Sequence, residues 1–335
     1  MHNPILVELT RGAGLESVHR GALVLARANG EVLAAVGDVD RPIFPRSAIK
    51  PLQALPLLET GAADRYGFGN RELAIACGSH SGTPEHTAVV GGMLSRVGLD
   101  AAALGCGVQE PLDGAAARQL VRASRKATQL NHNCSGKHAG MLATARHHAE
   151  AIDAYWLPTH PVQLRIHHTL EAISGQDLTT DACGIDGCSV PNWAMPLTRL
   201  ATAFARFVSG EGLSPARAET CRRVAQACWA EPTLVAGAGR LDTMAMAHLP
   251  GRVLLKAGAE GVHCGGLVER GLGFALKIDD GGKRAADLVT ASLVACACGD
   301  VPGLPPSTAL KNFRGLTVGE MRPAAALAGL LHKLA

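Results

Sequence analysis

FPRSAIKP, residues 44–51, places a serine, Ser47, three residues before a lysine, Lys50. A serine hydroxyl is a poor nucleophile at neutral pH and needs a base within hydrogen-bond reach to remove its proton. Residues i and i+3 lie on one face of a helix, so we expect the amine of Lys50 beside the hydroxyl of Ser47. Burial and a second nearby cation would lower the pKa of Lys50 and let it act as that base. A serine and a lysine at this spacing also occur together by chance, so the surrounding sequence has to show whether this pair is catalytic.

The sequence around the motif predicts a β-hairpin followed by a helix. Two stretches of alternating apolar residues, Val18–Ala26 and Glu31–Val36, are separated by Asn29-Gly30, the strongest short-range signal for a hairpin. An amphipathic run over residues 47–61 then predicts a helix that starts at the serine, and Pro56 is expected to kink or shorten it. The serine and the lysine would therefore open a helix that directly follows a hairpin.

Composition excludes several classes of function. The 335 residues are 47% hydrophobic and can bury a large core, whereas aromatic residues make up only 3%, too few for base stacking or aromatic cages. The net charge of +3 comes without a long basic run, which argues against binding of nucleic acid. No apolar run approaches the roughly 20 residues of a membrane span, and no signal peptide is visible. We therefore expect a cytoplasmic protein whose ten cysteines are reduced thiols, available in part as metal ligands.

The order of patterns predicts β-structure at both ends of the chain and helices between them. We expect a sheet built from both termini with an inserted, mainly helical lobe. The whole chain, 1–335, would be a single catalytic unit in which 1–60 plus 190–335 form the sheet lobe and 61–189 the helical lobe, with a binding cleft between them. Helices are predicted at Pro84–Val97, Ala115–Leu130, Lys137–His148, Pro161–Ile173, Ala194–Ser209, Pro215–Ala230 and Ala285–Cys298, and strands at Thr243–Ala247, Val253–Ala257 and Leu272–Ile278.

A second candidate segment is CGSHSGT, residues 77–83. Its small residues would let backbone and hydroxyl groups approach a ligand closely, which makes Ser79 a candidate for the site. The segment could equally be a polar loop, and Thr83 before Pro84 suits the start of a helix better than a ligand.

A third pattern could hold a metal. NHNCSGKH, residues 131–138, sets Cys134 and His138 four residues apart, and Cys188 follows in DACGIDGC, residues 181–188. Thiolates and imidazole together suit Zn²⁺. The absence of a C-x-x-C pair excludes a zinc finger, and ordinary buried cysteines are the alternative interpretation.

A fourth candidate is Lys256, which opens KAG on the predicted strand 253–257. A lysine there would place a second cation near Lys50 and near a carboxylate of a substrate. A solvated lysine at the edge of the sheet is the alternative.

Five blocks together resemble the rhizobial-type (class 3) L-asparaginases. Because they occur in the same order over most of the chain, they are far more specific than any one block alone. The family's fold is similar to that of serine β-lactamases and glutaminases, so the resemblance implies an α+β, serine β-lactamase-like fold with an antiparallel sheet flanked by helices. The blocks are RSAIKPLQ (46–53), CGSHSG (77–82), NCSGKHAG (133–140), DGC (186–188) and KAGAEG (256–261).

The resemblance also implies a role for each matched residue. The catalytic set would be Ser47, its base Lys50, the second serine Ser79 and the strand lysine Lys256. The zinc ligands would be Cys134, Lys137 and Cys188, which revises the interpretation of His138 as a ligand. The residues expected around the metal or the substrate are Arg46, His80, His138 and Asp186.

The implied reaction is hydrolysis of L-asparagine to L-aspartate and ammonia by a homodimer, with a zinc ion near the active site. Either Ser47 or Ser79 could be acylated, and we favour Ser47 because it begins the Ser-x-x-Lys helix. Backbone N–H groups would hold the oxyanion.

Three other functions are compatible with parts of the pattern. A glutaminase or another serine amidohydrolase of the same fold remains open, because one methylene in the substrate is discriminated by only ~1–3 kcal/mol. A non-catalytic, zinc-dependent amino-acid-binding protein is disfavoured by the intact Ser47, Lys50 and Lys256. A β-lactamase or DD-peptidase is disfavoured because the sequence has no Ser-Asp-Asn triplet and no visible export signal.

Overall fold

The computed structural model describes residues 2–179 and 182–334. Asp181, the first residue of the DACGIDGC segment, therefore lies outside the described residues. The chain forms two compact units. The first comprises Met1–Ala48, Met195–Gly212 and Met244–Ala335, and the second comprises Ile49–Ala194 and Leu213–Thr243.

The described residues form strands and helices that are numbered here in chain order. The strands are β1 Ile5–Arg11, β2 Gly14–Arg27, β3 Val32–Val36, β4 Cys183–Ile185, β5 Pro191–Trp193, β6 Val253–Ala257, β7 Val262–Leu267, β8 Leu272–Ile278, β9 Thr308–Lys311 and β10 Thr317–Pro323. The helices are α1 Lys50–Gln53, α2 Leu55–Glu59, α3 Ala62–Arg65, α4 Asn70–Ala76, α5 Pro84–Arg96, α6 Gly114–Arg122, α7 Ser135–His147, α8 Pro161–Ser174, α9 Leu197–Ser209, α10 Pro215–Ala230, α11 Pro232–Val235, α12 Leu241–His248, α13 Lys283–Cys298 and α14 Ala325–His332.

The first unit is built on an antiparallel sheet with the strand order β6-β7-β8-β2-β1-β10-β9. The predicted hairpin is confirmed: β2 pairs with β3 from Leu23↔Val36 to Ala26↔Val32, and Gly30 turns the chain with a φ of +92°. N-terminal strands lie beside C-terminal ones, since β1 pairs with β10 and β2 pairs with β8. The predicted α+β architecture, with a sheet drawn from both termini, is therefore confirmed.

Helix α9 packs on this sheet at very short range. Its buried face includes Leu200, Phe204 and Phe207. A Cβ atom added at Gly273 of β8 would lie 1.9 Å from the carbonyl oxygen of Ala201. Glycine is therefore required at the point where the helix backbone meets the strand.

The second unit is mainly helical and contains α7, which is buried on every side from Ser135 through Ala145. The start of α7 lies against α4, because a Cβ atom at Gly136 would lie 2.3 Å from the carbonyl oxygen of Ile75. Strands β4 and β5 form a separate two-stranded hairpin in this unit. The packing of α7 on α4 therefore fixes the position of the segment that carries Cys134 and Lys137.

Two predictions of secondary structure are wrong. The strand predicted at Thr243–Ala247 is part of the helix α12, because alternating Met and Ala imitate a strand although both residues favour helices. The helix predicted at Ala115–Leu130 ends at Arg122, and Ser124 then takes a φ of +50° that a helix cannot continue.

The helix predicted from Ser47 begins differently from the expectation. Residues Arg46–Ile49 form a 3₁₀ turn, and the α-helical geometry starts at Lys50. The expected shortening at Pro56 is confirmed, since α1 ends at Gln53 and α2 is a separate short helix.

The two units also differ from the predicted lobes, which placed residues 49–60, 190–194 and 213–243 with the sheet. The structure groups all three segments with the helices. Within the second unit Arg217 of α10 pairs with Glu59, and Arg223 pairs with Asp64. None of the described helices combines the length and the apolar composition that a membrane crossing requires.

We expect Gly136→Ala to destabilise the protein by about 1–3 kcal/mol, because the added methyl group would overlap the Ile75 carbonyl. Gly91→Ala in α5 is the matched control, since a Cβ atom there meets nothing within 4 Å and alanine favours a helix by about 0.5–1 kcal/mol. The midpoint of urea unfolding, followed by circular dichroism, should fall for the first variant and stay or rise for the second. Equal shifts would contradict the packing described here.

Candidate active site

Lys50 is completely buried, and its amine has three oxygen neighbours within the second unit. The Nζ atom lies 2.5 Å from the carbonyl oxygen of Gly78, 2.9 Å from Oγ of Ser79 and 3.4 Å from the carbonyl oxygen of Asn133. The amine donates to all three oxygens, as the three N–H bonds of an ammonium group allow. A proton can be exchanged only across the hydrogen bond with the Ser79 hydroxyl, because a carbonyl can only accept.

Burial is the main cause that lowers the pKa of Lys50, and the charge of Lys137 lowers it further. The charges of Cys134 and Cys188 act in the opposite direction without reversing the shift. A lowered pKa brings the amine of Lys50 nearer to the range in which a general base works.

The backbone around Ser79 is held by the segment 234–240. The N–H group of Ser79 donates to the carbonyl of Val235 at 2.8 Å, and Arg240 donates to the carbonyl of Ser79 at 2.6 Å. Gly78 has no room for a side chain, because its Cβ atom would lie 2.7 Å from the carbonyl oxygen of Leu234. Arg240 was not predicted from the sequence, in which the glycine pair Gly237 and Gly239 before it is the only local indication of a turn.

His80 links the Ser79 loop to the start of α7. Its Nδ1 atom accepts the N–H group of Gly82 at 3.2 Å, so Nε2 carries the proton and donates to Oγ of Ser135 at 2.9 Å. The Ser135 hydroxyl donates in turn to the carbonyl of Leu130. Burial lowers the pKa of His80 well below its ordinary value, and the neighbouring His86 adds to this effect. His80 is therefore a neutral side chain that positions the loop.

The three predicted zinc ligands lie together, all of them buried. Cys134 stands just before α7, Lys137 lies in its first turn, and Cys188 comes from the loop between β4 and β5. The amine of Lys137 lies 3.1 Å from Sγ of Cys188, whose sulfur is 3.8 Å from a carboxylate oxygen of Asp186.

Charges within this cluster balance one another. The hydrogen bond from Cys188 holds the pKa of Cys134 well below its ordinary value, and the cations Lys50 and Lys137 lower it further. The same hydrogen bond, together with burial, raises the pKa of Cys188. Burial disfavours the charged form of Lys137, but the charges of Cys188, Cys134 and Asp186 prevail and raise its pKa. The pKa of Cys134 is thus lowered, whereas the pKa values of Cys188 and Lys137 are raised.

The donor set fits Zn²⁺, for which thiolate sulfur and neutral nitrogen are suitable ligands. His138 supports the fit from the next layer: its Nδ1 atom meets the hydroxyl of Tyr155 at 2.6 Å, while its Nε2 atom is buried without a hydrogen-bond partner in the described part of the chain. All ten cysteines are free thiols, as the sequence predicts.

Arg46, Ser47 and Lys256 belong to the first unit. Ser47 is half-buried in the 3₁₀ turn, where Arg46 takes a φ of +53° that is rare for a residue with a side chain. A Cβ atom at Gly258 would lie 2.8 Å from the carbonyl oxygen of Pro45, so the end of β6 lies against this turn. Lys256 is completely buried and donates to the carbonyl of Ala257, which excludes the alternative of a solvated lysine.

Comparison with known proteins gives one family and several solved structures. A protein-family model described as L-asparaginase II matches residues 7–323. No curated protein sequence is significantly similar to the chain.

The solved structures that match include a β-lactamase from Mycobacterium bovis, with 14% identity, a TM-score of 0.40 and coverage of 80% of this chain and 90% of that one. A putative β-lactamase from Bacteroides dorei DSM 17855 matches with 13% identity, a TM-score of 0.40 and coverage of 77% and 84%. A protein named Mglu in its native form matches with 13% identity, a TM-score of 0.45 and coverage of 80% of this chain, which spans 61% of the Mglu chain.

We expect His80 to make the stability of the fold depend on acidity. Below pH 6.5 the unfolded chain protonates this histidine whereas the folded chain does not, so proton uptake favours unfolding and stability is lost as the pH falls. The free energy of unfolding, measured with urea at pH 7.5 and 5.5, should therefore fall less in His80→Gln than in wild type. The difference between the two chains should be up to about 1.4 kcal/mol per pH unit. The exposed His2, changed to Gln, is the control and should leave the pH dependence unchanged. An unaltered pH dependence in His80→Gln would contradict the neutral, buried state.

Proposed function

The chain belongs to the L-asparaginase II family, and from this premise we propose that it hydrolyses L-asparagine to L-aspartate and ammonia through a serine acyl-enzyme. Membership in this family makes it an enzyme of the L-asparaginase class. The single observation that supports the serine–lysine chemistry is the buried amine of Lys50, 2.9 Å from the hydroxyl of Ser79.

In the proposed reaction Ser47 attacks the side-chain amide carbon of asparagine. Its hydroxyl proton passes to Lys50, whose lowered pKa favours the neutral amine that such a transfer needs. Ser79 shares a hydrogen bond with this amine and carries the proton onward, so that the C–N bond breaks with release of ammonia. Water then hydrolyses the aspartyl ester and the serine recovers its proton. Lys256 supplies the second cation that disfavours charge on Lys50.

The proposal includes a zinc site formed by three residues of the second unit. Cys134, just before α7, Lys137, in its first turn, and Cys188, in the β4–β5 loop, would hold the ion. All three must be deprotonated to act as ligands. Bound there, Zn²⁺ would act as a Lewis acid that orients the substrate. His138 and Asp186 would support this set, and Arg46 and His80 are proposed to contribute to substrate binding.

Two alternatives remain to be separated from this function. Glutaminase activity differs by one methylene in the substrate, and the family match favours asparagine. A non-catalytic amino-acid-binding protein has no use for a buried lysine that is hydrogen-bonded to a serine hydroxyl. The cytoplasmic homodimer stays a prediction.

Ammonia release tests the function directly. We expect kcat/KM for L-asparagine to exceed that for L-glutamine by about 10–200-fold, the range that one methylene can supply. Release from neither amide would favour the binding protein, and equal or greater release from glutamine would favour the glutaminase.

Serine variants test the assigned nucleophile. Ser47→Ala should lower kcat by about 10³-fold or more and should form no acyl-enzyme, whereas Ser79→Ala should slow turnover but still accumulate an ester on the peptide that contains Ser47. Ser81→Ala is the matched control, because its hydroxyl bonds to the carbonyl of Ala236 and not to the amine. An ester found on Ser79, or activity above roughly a tenth in Ser47→Ala, would move the nucleophile to Ser79.

Metal analysis tests the zinc ligands. After dialysis that removes loosely held metal, we expect one Zn²⁺ per chain in wild type and none in a variant carrying both Cys134→Ala and Cys188→Ala. Cys221→Ala removes another buried thiol of the second unit and should leave the zinc in place. Occupancy should fall as the pH drops, because protons compete for the three ligands. Full zinc in the double variant would refute the site.

A further inference from the structure

A second group of potential metal ligands lies on α8, within the second unit. His167, His168 and Glu171 each present a ligand atom within 4.8 Å of those of the other two. His167 and Glu171 are one helical turn apart, and His168 lies between them in sequence. None of the three belongs to the set Cys134, Lys137 and Cys188.

The backbone of Leu178 orients two of these side chains. Its carbonyl accepts Nε2–H of His167 at 2.8 Å, and its N–H group donates to Oε1 of Glu171 at 3.0 Å. Histidines that bind metals almost always donate their other ring N–H in this way. The arrangement leaves the lone pair of Nδ1 on His167 and the Oε2 atom of Glu171 facing one another.

The separation of these two atoms fits a bound cation. Nδ1 of His167 and Oε2 of Glu171 are 3.5 Å apart, and two ligands about 2.1 Å from a tetrahedral zinc ion lie about 3.4 Å apart. Two lone pairs that face each other repel unless a proton or a metal cation lies between them. His167 and Glu171 are 18% and 28% exposed and His168 is exposed, so an ion from solvent can reach all three.

We propose that His167, His168 and Glu171 form a second, exchangeable zinc site, in which water takes the fourth position. Imidazole and carboxylate are suitable ligands for Zn²⁺, and three protein ligands plus water is the usual composition of an open site. The ring of His167 lies 5.0 Å from that of Trp193 on β5. The indole of Trp193 is therefore close enough to report an ion bound to His167.

Equilibrium dialysis of the full chain against Zn²⁺ tests the proposal. We expect wild type to bind a second equivalent at micromolar free Zn²⁺, and His168→Gln and Glu171→Gln to bind only the first. His168 is exposed, so its substitution leaves the fold intact. The control changes both His147 and His148 to Gln, because these form another adjacent histidine pair, at the end of α7, with rings 5.1 Å apart. The control should keep both equivalents.

Fluorescence provides the second readout. Binding of the second equivalent should change the emission of Trp193, and this change should disappear in Trp193→Phe and in His168→Gln. A wild-type chain that binds only one equivalent up to about 100 μM Zn²⁺, or a second equivalent that survives in both His168→Gln and Glu171→Gln, overturns the proposal. Neither outcome depends on asparagine hydrolysis, and loss of the first equivalent in the cysteine variants leaves the second unaffected.

Discussion

A lysine amine buried away from water is the constraint on which the second unit depends. Burial of an amine is costly unless its hydrogen bonds are satisfied, and for Lys50 the partners come from two separate loops, at Gly78–Ser79 and at Asn133. The Ser79 loop is held in turn by residues 234–240, and the Asn133 segment leads into α7. Helix α1, these loops and α7 therefore keep their positions together, or the amine loses its partners.

The same amine belongs to a wider balance of charge. The hydrogen bond from Cys188 lowers the pKa of Cys134, the charges of Lys50 and Lys137 lower it further, and the same hydrogen bond raises the pKa of Cys188. The proposed base and the proposed metal ligands are therefore coupled electrostatically, and a change at Cys134 would alter the pKa of Lys50.

The amino-acid sequence predicted the elements of secondary structure that depend on local patterns. The hairpin at Asn29-Gly30 and the helix at Pro215–Ala230 both depend on residues close in the chain. Prediction failed at Thr243–Ala247, where alternation imitated a strand, and it could not find Arg240, whose role depends on Ser79, far away in sequence. Ser79 and Cys188 were candidates from their local patterns and Lys137 through a resemblance, whereas the partners that fix their positions required the folded chain.

The topology of the first unit has a consequence for biosynthesis. Strand β1 pairs with β10, and Thr10 exchanges hydrogen bonds with Glu320 across 310 residues of chain. The sheet can close around β1 only after the ribosome has released β10, whereas the second unit draws on residues that are translated earlier. The edge of β1 that pairs with β10 therefore stays unpaired through most of translation. Unpaired strand edges are prone to misassociation during this period. A chaperone that covers β1 and β2 during synthesis would protect this edge until β10 is available.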